Sequence, residues 1–336
     1  MSKLYLMMGL PGLGKSTYSK DILMTNNNST ILVSSDSLRA TLLNDIERQD
    51  ENKLIFSLMK DISINALNAK KDVIYDATNI KEDKRRSLIT EVKNSVGDLE
   101  VIGLYCVGSL DVAYRRNMGR DRKVPENVIK RMAKDFQIPT ARDSYLDRIE
   151  YFSIDNIEVT SLGTLLDVTD YESFIHCLET NVESFSPNID LAQDCAYHSL
   201  SVSRHIYEAF NYGLKHIPAN ISKYKKEILY ALAFHDIGKA TCKEIRNGSR
   251  YAHFKGHENV SAQIFMGEAY KHLCFWDNKT SIDIPFTGAL IKEHGFPYAE
   301  KDPVEHGKAL YKIEETYGKE FRDCLIFIRE CDNSGK

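Results

Sequence analysis

The sequence predicts an α/β domain, a parallel sheet with flanking helices, followed by an all-α domain. Apolar runs alternate with segments of helical period as far as about Val168. A glycine-rich loop stands at the first strand–helix junction. Beyond Val168 no strong strand follows, while histidines and aspartates recur along segments of helical period.

In chain order, KLYLMMG, STILVSS, KDVIYDAT, LEVIGLYCVG and IEYFSID read as strands. Continuous apolar runs of this length suit a sheet covered on both faces. KSTYSKDILM and NKLIFSLMKDISINALN read as the helices between them, and DYESFIHCLETNVESF as a helix after them. FSPNID reads as a linker, because Pro187 interrupts helix and Asn188 favours a turn. The expected boundaries are 1–168, a helix and linker over 169–187, and 188–336. A chain of 336 residues with 43% hydrophobic residues is long enough for two cores. It shows neither an internal repeat nor a low-complexity tract.

Composition narrows the class. No apolar run reaches the roughly 18 residues that would span a bilayer, so no membrane role is expected. The apolar start runs straight into the glycine-rich loop and reads as a strand, not a signal peptide. The 7 cysteines form no CxxC pair, which argues against a disulfide framework or zinc knuckle and for reduced thiols in cytoplasm. A net charge of -4 argues against a general nucleic-acid coat but leaves room for a local basic groove. Residues 1–155 carry 24 basic and 22 acidic side chains, against 20 and 26 in the remainder.

GLPGLGKS fits G-x-x-x-x-G-K-[ST], with Gly9, Gly14, Lys15 and Ser16 at the fixed positions and Gly12 and Thr17 completing the loop. Glycines let backbone N–H groups close around phosphates, and the helix that follows presents its positive end. Lys15 can reach the β- and γ-phosphates of ATP, and the Ser16 hydroxyl can ligate Mg²⁺. The next strand ends in SSDSLR, where Asp36 and Arg39 share a helix face. Asp36 can accept a hydroxyl proton, and Arg39 can hold an acceptor phosphate. The competing reading is a capping Asp and a surface Arg. In YDATN, Asp76 closes an apolar strand, with Thr78 as a side-chain donor. In YRRNMGRDRKVPENVIKRM, Arg116 and Arg120 lie four apart and suit a lid that neutralises a transferring phosphoryl group. Arg115, Arg122 and Lys123 read as solvated.

These elements in this order resemble the kinase domain of phage-type polynucleotide 5′-kinases over about residues 1–155. The resemblance implies that Asp36 is the general base for a 5′-hydroxyl and that Lys15 and Ser16 serve the donor phosphates and Mg²⁺. It places Arg39 and Asp76 on the acceptor side and Arg116 and Arg120 in the lid.

In the second half, His198 and His205 lie seven apart, followed by the pair His235–Asp236 in FHDIGK, by His257, by His294, and by Asp332 near the end of a helix. Imidazoles and carboxylates suit divalent transition metals, and a carboxylate can bridge two ions. His176, His216, His253, His272 and His306 read as ordinary structural histidines. The ordered set resembles the HD phosphohydrolase superfamily over about residues 188–336. That likeness implies His198, His235, Asp236 and Asp332 as ligands of one metal, His257 and His294 as ligands of a second, and Lys239 near the substrate phosphate. His205 is assigned to substrate. YHSLSV-x-x-H and FKGH resemble HD domains appended to tRNA nucleotidyltransferases.

A 5′-kinase joined to a phosphohydrolase resembles bacterial and phage end-healing proteins. This implies a bifunctional enzyme acting on RNA or DNA ends with ATP and Mg²⁺ in one domain and Mn²⁺, Co²⁺ or Ni²⁺ in the other. A separate ligase would seal the ends, in the cytoplasm of a bacterium or a phage-infected host. Two other classes stay open. One is a small-molecule or nucleoside kinase fused to an HD nucleotide phosphohydrolase. The other is a nucleotide-sensing module with a non-catalytic HD platform. A complete ligand set disfavours the latter.

Overall fold

The computed structural model describes all residues except 26–28, 47, 49, 121, 155–161, 195–198, 273–281, 297–301 and 336. The chain forms two compact units. One comprises Met1–Val107, Ala113–Val124 and Arg142–Ile154; the other comprises Gly108–Val112, Pro125–Ala141 and Asp155–Lys336.

The first unit is built on five parallel strands: β1 (Ser2–Met8), β2 (Thr30–Ser34), β3 (Asp72–Asp76), β4 (Leu99–Cys106) and β5 (Arg148–Phe152). Their order across the sheet is β2-β3-β1-β4-β5, so β1 lies at the centre between β3 and β4. Leu4, Leu6, Met7 and Met8 of β1 are all wholly buried, as expected of a strand covered on both faces. The helices α1 (Lys15–Thr25), α2 (Ser35–Leu43), α3 (Asn52–Asn68) and α4 (Glu82–Ser95) make the crossovers. On α1, Tyr18 and Ile22 pack against the sheet core of Met7, Ile74, Ile102 and Leu104, and Tyr18 stacks on Phe152 with ring centroids 3.9 Å apart. The sequence-predicted strands all form. Helix α5 (Leu110–Met118) follows β4.

The second unit is helical. It comprises α6 (Glu126–Asp135), α7 (Tyr171–Asn181), α8 (Val202–His216), α9 (Lys225–Phe234), the short α10 (Lys239–Cys242), α11 (His257–His272), α12 (Ile284–Glu293), α13 (Pro303–Tyr317) and α14 (Lys319–Ser334). A two-stranded hairpin, β6 (Glu244–Ile245) and β7 (Ala252–His253), interrupts the series. Asp170, Ser201, Asp283 and Asp302 cap four of the helices through side-chain acceptors. Phe174, Phe210, Phe234, Phe265 and Phe321 fill the interior. The amphipathic α6, which the sequence assigns to the kinase domain, packs here. Gln263 of α11 donates to the Ala133 carbonyl at 2.7 Å, and Asn259 donates to that of Lys134 at 2.9 Å. The expected linker is instead a packed turn, Ser186–Asn188, with Phe185 and Asn188 wholly buried. Among the described residues, no helix is long and apolar enough to cross a membrane.

Candidate functional site

The first unit gathers its polar side chains at the C-terminal ends of the parallel strands. The loop between β1 and α1 turns through Gly9, Gly12 and Gly14 at φ +138°, +89° and +104°, a region that side-chain-bearing residues avoid. At Gly12 a Cβ would also lie 2.5 Å from the Ala113 carbonyl oxygen. Thr17 N–H donates to the Gly14 carbonyl at 3.1 Å, starting α1. Lys15 is buried, its ammonium donating to the Leu10 carbonyl at 2.9 Å. Burial lowers its pKa; Asp76 and Asp36 oppose that shift and Arg120 adds to it. The Ser16 hydroxyl donates to Asp76 Oδ2 at 3.0 Å. Burial raises the Asp76 carboxyl, with Lys15 and Ser16 opposing. A hydroxyl and a carboxylate in contact beside a lysine form the oxygen-rich setting that Mg²⁺ favours.

Asp36 stands in the first turn of α2, which Ser34 caps. Its carboxylate remains about half exposed, at 48%. Two arginines flank it: Arg39, with NH1 at 3.4 Å, and Arg122, with NH1 at 2.8 Å. Arg39 is buried, and its other amino group donates to Asn52. Arg122 is therefore not the solvated side chain that the sequence suggests. Arg116 donates to the Leu13 carbonyl of the glycine loop at 3.4 Å. Arg120 is exposed, with its charge felt at Lys15 and Asp76. Asn117, which sequence reasoning missed, is buried and bonds both backbone groups of Val124, at 2.8 and 2.9 Å, closing the basic loop on itself. Thr78 contributes its carbonyl, which accepts from Gly9 N–H at 3.1 Å.

The second unit holds a buried cluster. His205 Nε2 lies 3.1 Å from Asp236 Oδ2 and 3.0 Å from Asp332 Oδ1. His235 Nε2 lies 3.4 Å and 3.6 Å from the same two oxygens. Across Asp236, its Oδ1 lies 3.1 Å from His257 Nε2 and 3.8 Å from His294 Nε2. These atoms make two donor groups that share Asp236: one with His205, His235 and Asp332, the other with His257 and His294.

The tautomers follow from the other ring nitrogens. Nδ1 of His205, His235, His257 and His294 meets the carbonyls of Gly335, Leu232, Phe254 and Ile291 at 2.8, 2.7, 2.9 and 2.6 Å. A carbonyl can only accept, so each Nδ1 carries a proton and each Nε2 turns inward, the nitrogen that a metal would take once its own proton has left. His205 and His235 then bring two Nε2 atoms to 3.3 Å, as do His257 and His294. Two ring nitrogens that close must share a proton or a metal cation. The donor set therefore fits divalent metal in both groups.

Without an ion, protons on the histidines supply the balancing charge. Burial would raise the Asp236 carboxyl, but Lys239 and His235 outweigh it and hold it well below the usual carboxylate range. Asp332 is likewise held low against burial by His205 and His235. Burial opposes charge on His235, but Asp236 and Asp332 raise it to about 10. Burial, His257 and His235 push His294 down to about 3.

His198 lies outside the described residues. His205, read from sequence as a substrate contact, is wholly buried within the donor set. Helix α8, which carries it, starts at Val202. Lys239 donates to Gln193 at 2.7 Å and pairs with Asp236 at 2.6 Å. Sequence reasoning missed three supports. Asn188 donates to the Ile237 carbonyl at 3.1 Å and accepts from Ala240 N–H at 3.3 Å, bracing the turn after His235–Asp236. Gln193 anchors Lys239. Arg329 pairs with Asp332 at 3.5 Å and also donates to the His294 carbonyl. Gly238 has no room for a side chain: a Cβ would lie 2.4 Å from the His257 carbonyl.

Comparison with known proteins bears on the first unit. A solved protein of Chloroflexus aurantiacus J-10-fl, to which a kinase activity is ascribed, is 16% identical. That match covers 45% of this chain and 86% of the other, with a TM-score of 0.36. Residues 4–139 match a family model described as an AAA domain. Over 167 residues the chain is 28% identical to the L-seryl-tRNA(Sec) kinase of Methanococcus maripaludis, covering 49% of this chain and 63% of that protein. The chain thus spans less than two thirds of that relative's length. The glycine loop between a central parallel strand and α1 marks the first unit as a P-loop domain, and its sequence is similar to that of this kinase. Such a domain implies ATP with Mg²⁺.

Proposed function

We propose that the protein is bifunctional and heals both ends of a broken polynucleotide, RNA in the first instance. In the kinase half, the 5′-hydroxyl oxygen bonds to the γ-phosphorus of ATP as the bond to ADP breaks, and Asp36 takes the hydroxyl proton. Arg39 and Arg122, on either side of Asp36, orient the acceptor. Lys15 and the Ser16–Asp76 pair hold the donor phosphates with Mg²⁺, and Arg116 and Arg120 cover them. The relative's name places its acceptor on a tRNA, which favours a hydroxyl borne by RNA here too.

In the helical half, water adds to a 2′,3′-cyclic or terminal phosphate and the ester oxygen leaves. His205, His235, Asp236 and Asp332 would hold one divalent ion, and Asp236, His257 and His294 a second. His205 takes the ligand role that sequence first gives to His198. Ions held there would supply Lewis acidity to a bound phosphate ester. Lys239, fixed by Gln193 and Asp236, sets positive charge beside the substrate.

The observation that carries the hydrolase half is the convergence of four inward-facing Nε2 atoms around one shared carboxylate. The test uses one oligoribonucleotide with a 5′-hydroxyl and a 2′,3′-cyclic phosphate, given ATP with Mg²⁺ or Mn²⁺, each end scored separately. Phosphorylation at one end and phosphate opening or release at the other is expected. Turnover of nucleosides but not of the oligonucleotide would shift the reading to a small-molecule kinase.

A further inference from the structure

We propose that the hairpin of β6 and β7 is a polynucleotide-docking element for the histidine cluster. This inference rests on reading that cluster as a phosphohydrolase of RNA ends, and it assigns the hairpin the task of choosing a polynucleotide over a free nucleotide.

The ladder has only two residue pairs, Glu244 with His253 and Ile245 with Ala252, and so short a hairpin is marginal alone. Its base is fixed. Ala252 N–H donates to the Asp194 carbonyl at 2.9 Å, and Glu244 pairs with Lys134. Its tip turns over Gly248 at φ +82°, with Ser249 N–H donating to the Arg246 carbonyl at 2.9 Å. Arg246, Arg250 and Lys255 are exposed, and none forms an ion pair among the described residues. Ile245 is 63% exposed and Tyr251 37%. The Arg250 guanidinium lies over the Tyr251 ring, 5.0 Å from its centroid.

A basic tip on a chain of net charge -4 is a local feature. Arginines interleaved with a partly exposed aromatic ring suit a phosphate backbone with stacking bases. Both strands run into the cluster. Before the hairpin lies α10 with Lys239; after it comes Phe254, whose carbonyl holds His257 Nδ1 at 2.9 Å and whose ring lies 5.4 Å from Lys239 Nζ. A strand laid on the hairpin is thereby led toward His257 and toward Lys239, which the proposed function sets beside the substrate phosphate.

The test compares wild type with the R246A/R250A variant and with Y251A, in Mn²⁺. The substrates are an oligoribonucleotide ending in a 2′,3′-cyclic phosphate and a nucleoside 2′,3′-cyclic phosphate. For R246A/R250A, KM for the oligonucleotide should rise about tenfold and the log–log salt slope should fall by about 1.4, for two phosphates at ~0.7 each. Y251A should raise KM with little change in slope. Nucleoside turnover should hold in both. Unchanged KM and slope overturn the proposal. Equal losses on both substrates would overturn it in favour of a structural support for His257. Equal competition by a polyglutamate peptide would overturn it in favour of an acidic protein partner. Should wild type hydrolyse neither substrate, the phosphohydrolase reading fails by itself. Docking is then judged by fluorescence anisotropy of the labelled oligonucleotide, where equal affinity of wild type and R246A/R250A overturns it.

Discussion

The P-loop unit places its chemistry on turns and strand ends. Glycines at positive φ free the backbone, Asp36 stays half exposed between two arginines, and the basic loop is tied by Asn117 and by side-chain contacts of Arg116 and Arg122. The helical unit places its chemistry on packed helices. His205 and His235 are wholly buried, and each ring is locked by a carbonyl behind it. An open site of main-chain donors can wrap a flexible triphosphate and exchange it. A buried, side-chain-built site is preorganised for a small cation that stays. Ligand removal should therefore cost the helical unit its function and part of its stability, and cost the P-loop unit its function alone.

Asp236→Ala is the strongest break of this contrast. It removes the carboxylate common to both donor groups, so phosphate release should fall below detection and bound metal should drop on elemental analysis, while 5′-phosphorylation persists. Mn²⁺ at a hundred times its Kd should stabilise wild type by about 2.7 kcal/mol, raising Tm, and should leave the variant unmoved. A variant that keeps its metal would show that Asp236 is no ligand. Lys15→Ala is the converse: no 5′-phosphorylation, normal hydrolysis. Loss of both activities from either substitution, in protein that still melts cooperatively, would show that the two sites are coupled.

Asp36→Ala should slow phosphorylation by ~10²–10⁴-fold with ATP affinity retained, the usual range for loss of a general base. Near wild-type turnover would remove Asp36 from that role and leave Arg39 and Arg122 flanking a merely structural carboxylate.

Much of this was legible in the sequence because its signals are local. The five strands are continuous apolar runs, and the glycine loop has one conformation that its spacing serves. Asp76 could be placed because it ends a strand. What escaped depends on contacts across the chain. Helix α6 follows the basic loop in sequence, yet Gln263 and Asn259 reach its carbonyls from α11, and no periodicity reports that. Asn188 reads as a turn former until its amide is seen bridging Ile237 and Ala240. His198 and His205 are alike in a helical count. Only the positions of Asp236 and Asp332 set His205 among the donors, and His198 lies outside the described residues.

The smallest effects separate the basic loop from the acceptor pair. Arg120 is exposed and its charge reaches Lys15 and Asp76, on the donor side. Arg122 lies two residues on, but its NH1 sits 2.8 Å from Asp36, on the acceptor side. A group that acts on charge developing at the transferring phosphoryl lowers kcat when removed, while one that only orients the acceptor raises KM. Arg120→Ala should therefore cut kcat by ~10²-fold with KM for the oligonucleotide nearly unchanged. Arg122→Ala should raise that KM only about threefold to tenfold, with kcat held, and should flatten its salt dependence by about one phosphate contact. Arg122→Lys should restore part of the affinity, because a phosphate contact needs charge more than a forked geometry. If Arg120→Ala weakens only salt-sensitive binding, Arg120 belongs to the nucleic-acid groove instead. If Arg122→Ala collapses kcat, its contact with Asp36 orients the base itself, and the division between donor and acceptor arginines fails.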